Sequence, residues 1–204
     1  MANTDNSNEN RFFNWAKPYF DFIGKGKIYS LVYVIMALFC LLFPMFVIFM
    51  VIRDGYLYNA GTGLIVAFMF SLLVVAFASW VGFQLWWNRK TAIKRFENAD
   101  FIAIPVVSDI VQTSGECIGT FLGIVGVGVG IIMTIYFWGS GYTDYAFYGL
   151  VPKIKNIGPV MIIGGPIAGF IILIIHRLFA EFIRIMSVIA NNTREIARNT
   201  RNRI

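Results

Sequence analysis

Four stretches of this chain, 28–52, 61–87, 117–138 and 157–175, contain no charged residue at all. An α-helix rises about 1.5 Å per residue, so about 20 apolar residues cross the roughly 30 Å hydrocarbon core of a bilayer. Each stretch has about that length or more. Hydrocarbon offers no partner for backbone N–H and C=O groups, and a helix pairs them within its own segment. The sequence therefore predicts an all-α integral membrane protein with four transmembrane helices. Composition agrees: 14% of residues are charged and the mean hydropathy is +0.70, whereas soluble domains are about 25% charged.

The flanks divide the chain further. Residues 1–10 are Asn-rich and polar and are expected to form a disordered tail. Residues 11–27 mix aromatics with Arg11, Lys17, Lys25 and Lys27, as an interfacial segment would. With no basic cluster at the start and a first apolar run of full spanning length, a span rather than a cleaved signal is expected. The four-span domain covers 28–175. Within it, residues 97–115 read as an interfacial helix, started by Pro105, leading into the third span. Residues 176–204 form a polar helical tail.

Basic residues orient this layout. Arg11, Lys17, Lys25 and Lys27 precede span one. Arg89, Lys90, Lys94 and Arg95 follow span two, and Arg177, Arg184, Arg194, Arg198, Arg201 and Arg203 follow span four. Only Arg53, Lys153 and Lys155 fall on the other side. The positive-inside rule then puts both termini in the cytoplasm. The net charge of +6 points to anionic lipid head groups as partners rather than nucleic acid. Cys40 and Cys117 both lie in apolar stretches and suggest no disulfide framework, and a single histidine, His176, excludes a multi-histidine metal site. No Ser/His/Asp set, phosphate-cradling loop or metal-ligand spacing occurs, so neither an enzyme nor a cofactor is expected.

Several patterns carry physical content. Gly115, Gly119, Gly123, Gly126 and Gly130 space glycines along the third span, a glycine zipper that lets another backbone approach closely. Two uses stand: packing inside the protomer, or a subunit contact or pore lining in an oligomer. Asp109, Gln112 and Glu116 share one helix face before that span. They suit a solvated face, or an acidic ring at a cytoplasmic pore mouth. In the fourth span Pro166 follows Gly164 and Gly165, which predicts a kink or a break. In the tail, Leu178, Phe182, Ile185, Ile189, Asn192, Ile196 and Asn199 alternate four and three apart, an a/d coiled-coil seam with asparagine layers. That helix would lie on anionic lipid, self-associate below the membrane, or pack on the middle segment. Arg177, Glu181 and Arg184 follow at i, i+4 and i+7, so Glu181 is expected to reach both arginines and anchor the helix at the interface, with a proton-handling role as the alternative.

Two regions, FFNWAKPYFDFIGKGKIYSLVYVIMALFCLLF (12–43) and IAGFIILIIHRLFAEFIRIMSVIANNTREI (167–196), resemble a bacterial family of small membrane proteins classed as a domain of unknown function. Family members carry an Arg, a Glu and a second Arg in that helical order after a final span, matching Arg177, Glu181 and Arg184. They have two spans, whereas residues 53–156 here insert two more. The resemblance implies a multi-pass protein of the bacterial inner membrane and supplies no activity. The expected function is a homo-oligomeric pore or channel, or the membrane subunit of a larger complex with further partners. A small-solute carrier or a non-conducting scaffold is the alternative.

Overall fold

The computed structural model describes residues 27–55, 58, 60–91, 103–140 and 157–201. The expected disordered tail, nearly all of the interfacial segment 11–27 and most of the connection between the third and fourth spans lie outside the described residues. What is described is all-helical: α1 (Lys27–Arg53), α2 (Thr62–Arg89), α3 (Ala103–Ser140) and α4 (Gly158–Arg201). All four are long and apolar enough to cross a membrane.

Two helices exceed the expected spans. The 97–115 segment and the third span merge, from Ala103 on, into one 38-residue helix, α3, about 57 Å long. The fourth span and the tail merge into α4, 44 residues and about 66 Å. No break occurs at Pro166, which sits inside continuous helix. Pro44 likewise lies inside α1, where it removes the N–H that would bond the Cys40 carbonyl. α1 ends where Gly55 takes φ 73 and donates to the Ile52 carbonyl at 3.1 Å, a left-handed stop that only glycine adopts without cost.

The bundle is inside-out relative to a soluble protein. Phe39, Met45, Leu73, Ile135 and Ile163 are all about two-thirds exposed, as side chains solvated by hydrocarbon should be. The interior holds few large groups. Its core is Tyr33, Ala37, Trp86 and Val106, with Cys40, Phe83, Ile110 and Cys117 packed against it. α1 and α3 run parallel, as Tyr33 meets Asp109, Cys40 meets Cys117 and Phe43 meets Phe121. The start of α1, the end of α2, the start of α3 and the second half of α4 therefore gather at one end of the bundle.

α3 and α4 pack antiparallel through backbone rather than side chains. A Cβ built on Gly126 would lie 2.6 Å from Gly165 Cα, and one on Gly119 would lie 2.6 Å from the Gly169 carbonyl oxygen. A Cβ on Gly130 would lie 2.8 Å from the Gly158 carbonyl oxygen, and one on Gly115 would collide with the His176 side chain. Farther along, Ser108 Oγ donates to the Ala180 carbonyl at 2.8 Å. One register is thus kept over about six turns. Gly123 differs: a Cβ there would meet nothing within 4 Å. It borders an apolar groove between α2 and α3, into which Gly128 also opens against Val74.

Replacing Gly126 by Ala forces two backbones apart and should destabilise the bundle by about 1–3 kcal/mol, the usual cost of overpacking. Gly123→Ala should stay within about 1 kcal/mol of the parent, because its side of α3 has room and alanine favours helix. Unfolding of both variants in mixed micelles measures the contrast; equal losses would mean that the glycine contacts do not hold α3 to α4.

Candidate functional site

At the end where the helix termini gather, the bundle holds charge. Arg89, the first charged residue after the second span, turns back and donates to three groups of α3. Nη1 reaches Thr113 Oγ1 at 3.0 Å and Asp109 Oδ1 at 3.4 Å, and Nη2 reaches Glu116 Oε2 at 2.5 Å. The spacing of Asp109, Thr113 and Glu116, at i, i+4 and i+7, puts all three on the α3 face toward α2. Their side chains keep only a fraction of their surface, 26% for Arg89, 15% for Asp109 and 24% for Glu116.

The cluster extends in both directions. Tyr33 of α1, fully buried, donates to Asp109 Oδ2 at 2.6 Å, and its ring meets Trp86 edge-on at 5.5 Å. Gln112 Nε2 donates to Glu116 Oε1 at 2.9 Å, and its own Oε1 accepts from Arg184 of α4 at 2.8 Å. One chain of hydrogen bonds therefore crosses all four helices. A carboxylate in this setting must be paired or hydrogen-bonded to stay charged. Both carboxylates share one guanidinium, whose fork geometry suits two acceptors at once.

The positions singled out in the sequence fall as follows. Asp109 and Glu116 turn their carboxylates inward to Arg89 rather than standing as a solvated row. Glu181 pairs with Arg177 at 3.6 Å in the open, but Arg184 bonds Gln112 instead of completing the expected trio. The reason is geometric: Arg184 lies one turn past Ala180, on the face that α3 covers. His176 sits over Gly115, with Nδ1 2.9 Å from the Ile172 carbonyl oxygen. Gly115, Gly119, Gly126 and Gly130 face α4. Leu178, Phe182, Ile185, Ile189 and Ile196 are each more than half exposed, and Asn192 is exposed beside them. Lys90 lies 4.3 Å above the Trp87 ring, at the foot of a ladder formed by Trp80, Phe83 and Trp87.

Two features were not visible in the sequence. In the sequence Arg89 is one flanking charge among several. Its signal is position: a long basic side chain two residues beyond an uncharged span can reach back into it. The other is a thiol pair. Cys40 and Cys117, 77 residues apart, bring their sulfurs to 3.7 Å as free cysteines. They line a cavity of about 240 Å³ among α1, α2 and α3. Among the described residues, no group of three or more His, Cys, Asp or Glu side chains is placed to hold a metal ion.

Arg89→Ala should cost roughly 2–4 kcal/mol, because it strands two carboxylates; the residual exposure keeps the cost below that of a fully buried pair. Arg89→Lys should recover only part, since an ammonium lacks the fork. The triple change Arg89→Leu, Asp109→Asn and Glu116→Gln should recover more than Arg89→Leu alone. Thermal unfolding in detergent ranks the variants, and equal stability across the set would show that the network is idle.

Compared with family models, with curated proteins and with solved structures, the chain matches none.

Proposed function

We propose that this protein is a membrane-embedded subunit that self-associates through the part of α4 from Leu178 onward and serves as a non-conducting scaffold in a bacterial inner membrane, with its basic end in the cytoplasm. The observation that carries this reading is the direction of the tail's apolar seam. Successive residues of a helix turn by about 100°. His176, Ala180 and Arg184 mark the side of α4 that rests on α3. Leu178, Phe182, Ile185, Ile189, Asn192 and Ile196 lie about half a turn away and are exposed. An a/d seam of this kind is a recognition surface for like helices, and an asparagine layer sets register at some cost in stability. A second copy of the same helix is the occupant whose pattern complements it.

Two features that a conducting assembly would use are already engaged inside the protomer. Gly115, Gly119, Gly126 and Gly130, four of the five zipper glycines, are closed against α4, and the carboxylates of Asp109 and Glu116 are held by Arg89. That favours scaffold over pore. The charge distribution supports the orientation, because among the described residues Lys27, Arg89, Lys90 and the arginines of α4 lie toward the gathered end, and Arg53 lies at the other. Arg177, two residues past the fourth span, would then meet anionic head groups.

The subunit count of the full chain in mild detergent, read by native mass spectrometry, tests the assembly. A discrete oligomer is expected, and Ile185→Asp with Ile189→Asp should reduce it to monomer without unfolding the spans. A clean monomer in the parent chain would sink the reading. In planar bilayers the parent should pass no unitary currents; currents lost with the double aspartate variant would transfer the assembly to the pore class.

A further inference from the structure

The cavity beside the charged cluster has an unusual wall. Phe39 and Phe43 of α1 and Phe121 of α3 supply aromatic surface, with Phe43 and Phe121 meeting edge-on at 5.3 Å. Phe39 and Ile118, both on its rim, are 69% and 45% exposed. The opening therefore faces the lipid between α1 and α3, and an occupant would arrive through the bilayer. Gly82 keeps the sulfurs clear: a Cβ there would lie 3.0 Å from Cys117 Sγ and 3.3 Å from Cys40 Sγ.

One hydroxyl in this wall is unsatisfied. In the same helices Ser71, Thr113, Ser114 and Thr134 all donate to the carbonyl one turn back, the usual solution in an apolar setting. Ser79 is 3% exposed, lines the cavity, and its Oγ is the one buried side-chain polar atom without a partner among the described residues. An unpaired hydroxyl in hydrocarbon is costly. Water is a poor occupant, because it needs two to four polar partners and this wall offers one hydroxyl and two weak thiols. The better occupant is apolar, about one ring in size, and brings a hydrogen-bond acceptor.

The thiols narrow the class. A cysteine pair 3.7 Å apart needs to close by roughly 1.7 Å to reach the S–S bond length of about 2.05 Å. Oxidising it releases two electrons and two protons. An apolar ring compound that bears carbonyl acceptors and takes up two electrons and two protons is a quinone. We propose that this cavity binds the ring of a lipid-soluble quinone, with one ring carbonyl accepting from Ser79, and that Cys40 and Cys117 reduce it. Both S–H bonds break and one S–S bond forms. The two electrons enter the ring, and the two protons go to its two oxygens, giving one hydroquinone and one intrachain disulfide. The inference is independent of the tail and of its assembly.

The test uses the full-length chain in mild detergent, reduced, freed of reductant and kept anaerobic. The probe is tetramethyl-1,4-benzoquinone, whose ring is fully substituted and cannot add a thiol. Saturable binding by equilibrium dialysis is expected, with one hydroquinone formed per chain, both free thiols lost, and a disulfide joining the Cys40 and Cys117 peptides. Ser79→Ala should weaken binding about 5-fold, as the loss of one neutral hydrogen bond would, with the thiol count before quinone unchanged. Cys40→Ser should still bind the probe but form no hydroquinone. Absence of saturable binding would overturn the proposal. So would binding that leaves both thiols reduced, or equal binding and oxidation rates in the parent, Ser79→Ala and the cavity-filling Ala78→Leu.

Discussion

In hydrocarbon, apolar side chains gain nothing by leaving the solvent for one another, so helices associate by close packing and by pairing polar groups. The contact between α3 and α4 follows from that constraint. Glycine facing glycine lets the two backbones approach until no side-chain atom could stand between them, as at Gly126 with Gly165 and Gly119 with Gly169. Dispersion then acts along whole helix surfaces, each atom pair contributing little and the sum a great deal. The same contact fixes the register of α4, and with it the direction of everything beyond His176. Ala180 and Arg184 are held to α3, so the Leu178–Ile196 seam is turned outward. The tail's availability is a consequence of the glycines.

The polar network completes what packing begins. α1 and α2 lack the glycine-to-glycine approach, and they join the bundle at its charged end through Tyr33 and Arg89. A hydrogen bond to a charged group is stronger than a neutral one, and stronger again where water is scarce. Buried charge of this kind contributes little net stability compared with well-packed apolar groups, yet breaking one partner is expensive. Its effect is therefore on uniqueness: a one-residue slip of α3 against α2 would part Arg89 from Asp109, Thr113 and Glu116 together.

The sequence made the membrane class and the four spans legible, because charge-free length is a property of consecutive residues. Helix ends were less legible where helices outrun the hydrocarbon. In α3 and α4 no composition change stops the helix at the membrane surface, since Ser108, Asp109 and Gln112, or Asn191 and Asn192, are all tolerated in a helix with somewhere to direct their side chains. Pro166 predicts a kink or a break, and of the two the break does not occur: flanking glycines and the close contact with α3 accommodate the proline within a continuous helix. The glycine spacing announced a close approach without naming its partner. That needed the antiparallel register, which depends on residues some forty positions away.

The site was the least legible part, for a reason that is physical. Cys40 and Cys117 each look inert in their own segment, as apolar residues among apolar residues. Ser79 looks like any small residue of a span. What distinguishes them arises only when α1 and α3 run parallel with a constant offset and α2 lies between them. The parallel register sets the two sulfurs at one level, and Gly82 leaves that level open. Pro44, one turn beyond Cys40, removes the helical donor to the Cys40 carbonyl and so leaves α1 less tightly tied just there. A wall built from a loosened helix, a missing Cβ and an unpaired hydroxyl is less well packed than the glycine seam on the far side of α3. The bundle thus has one dense face and one hollow face, and the dense face gives the hollow one a fixed frame.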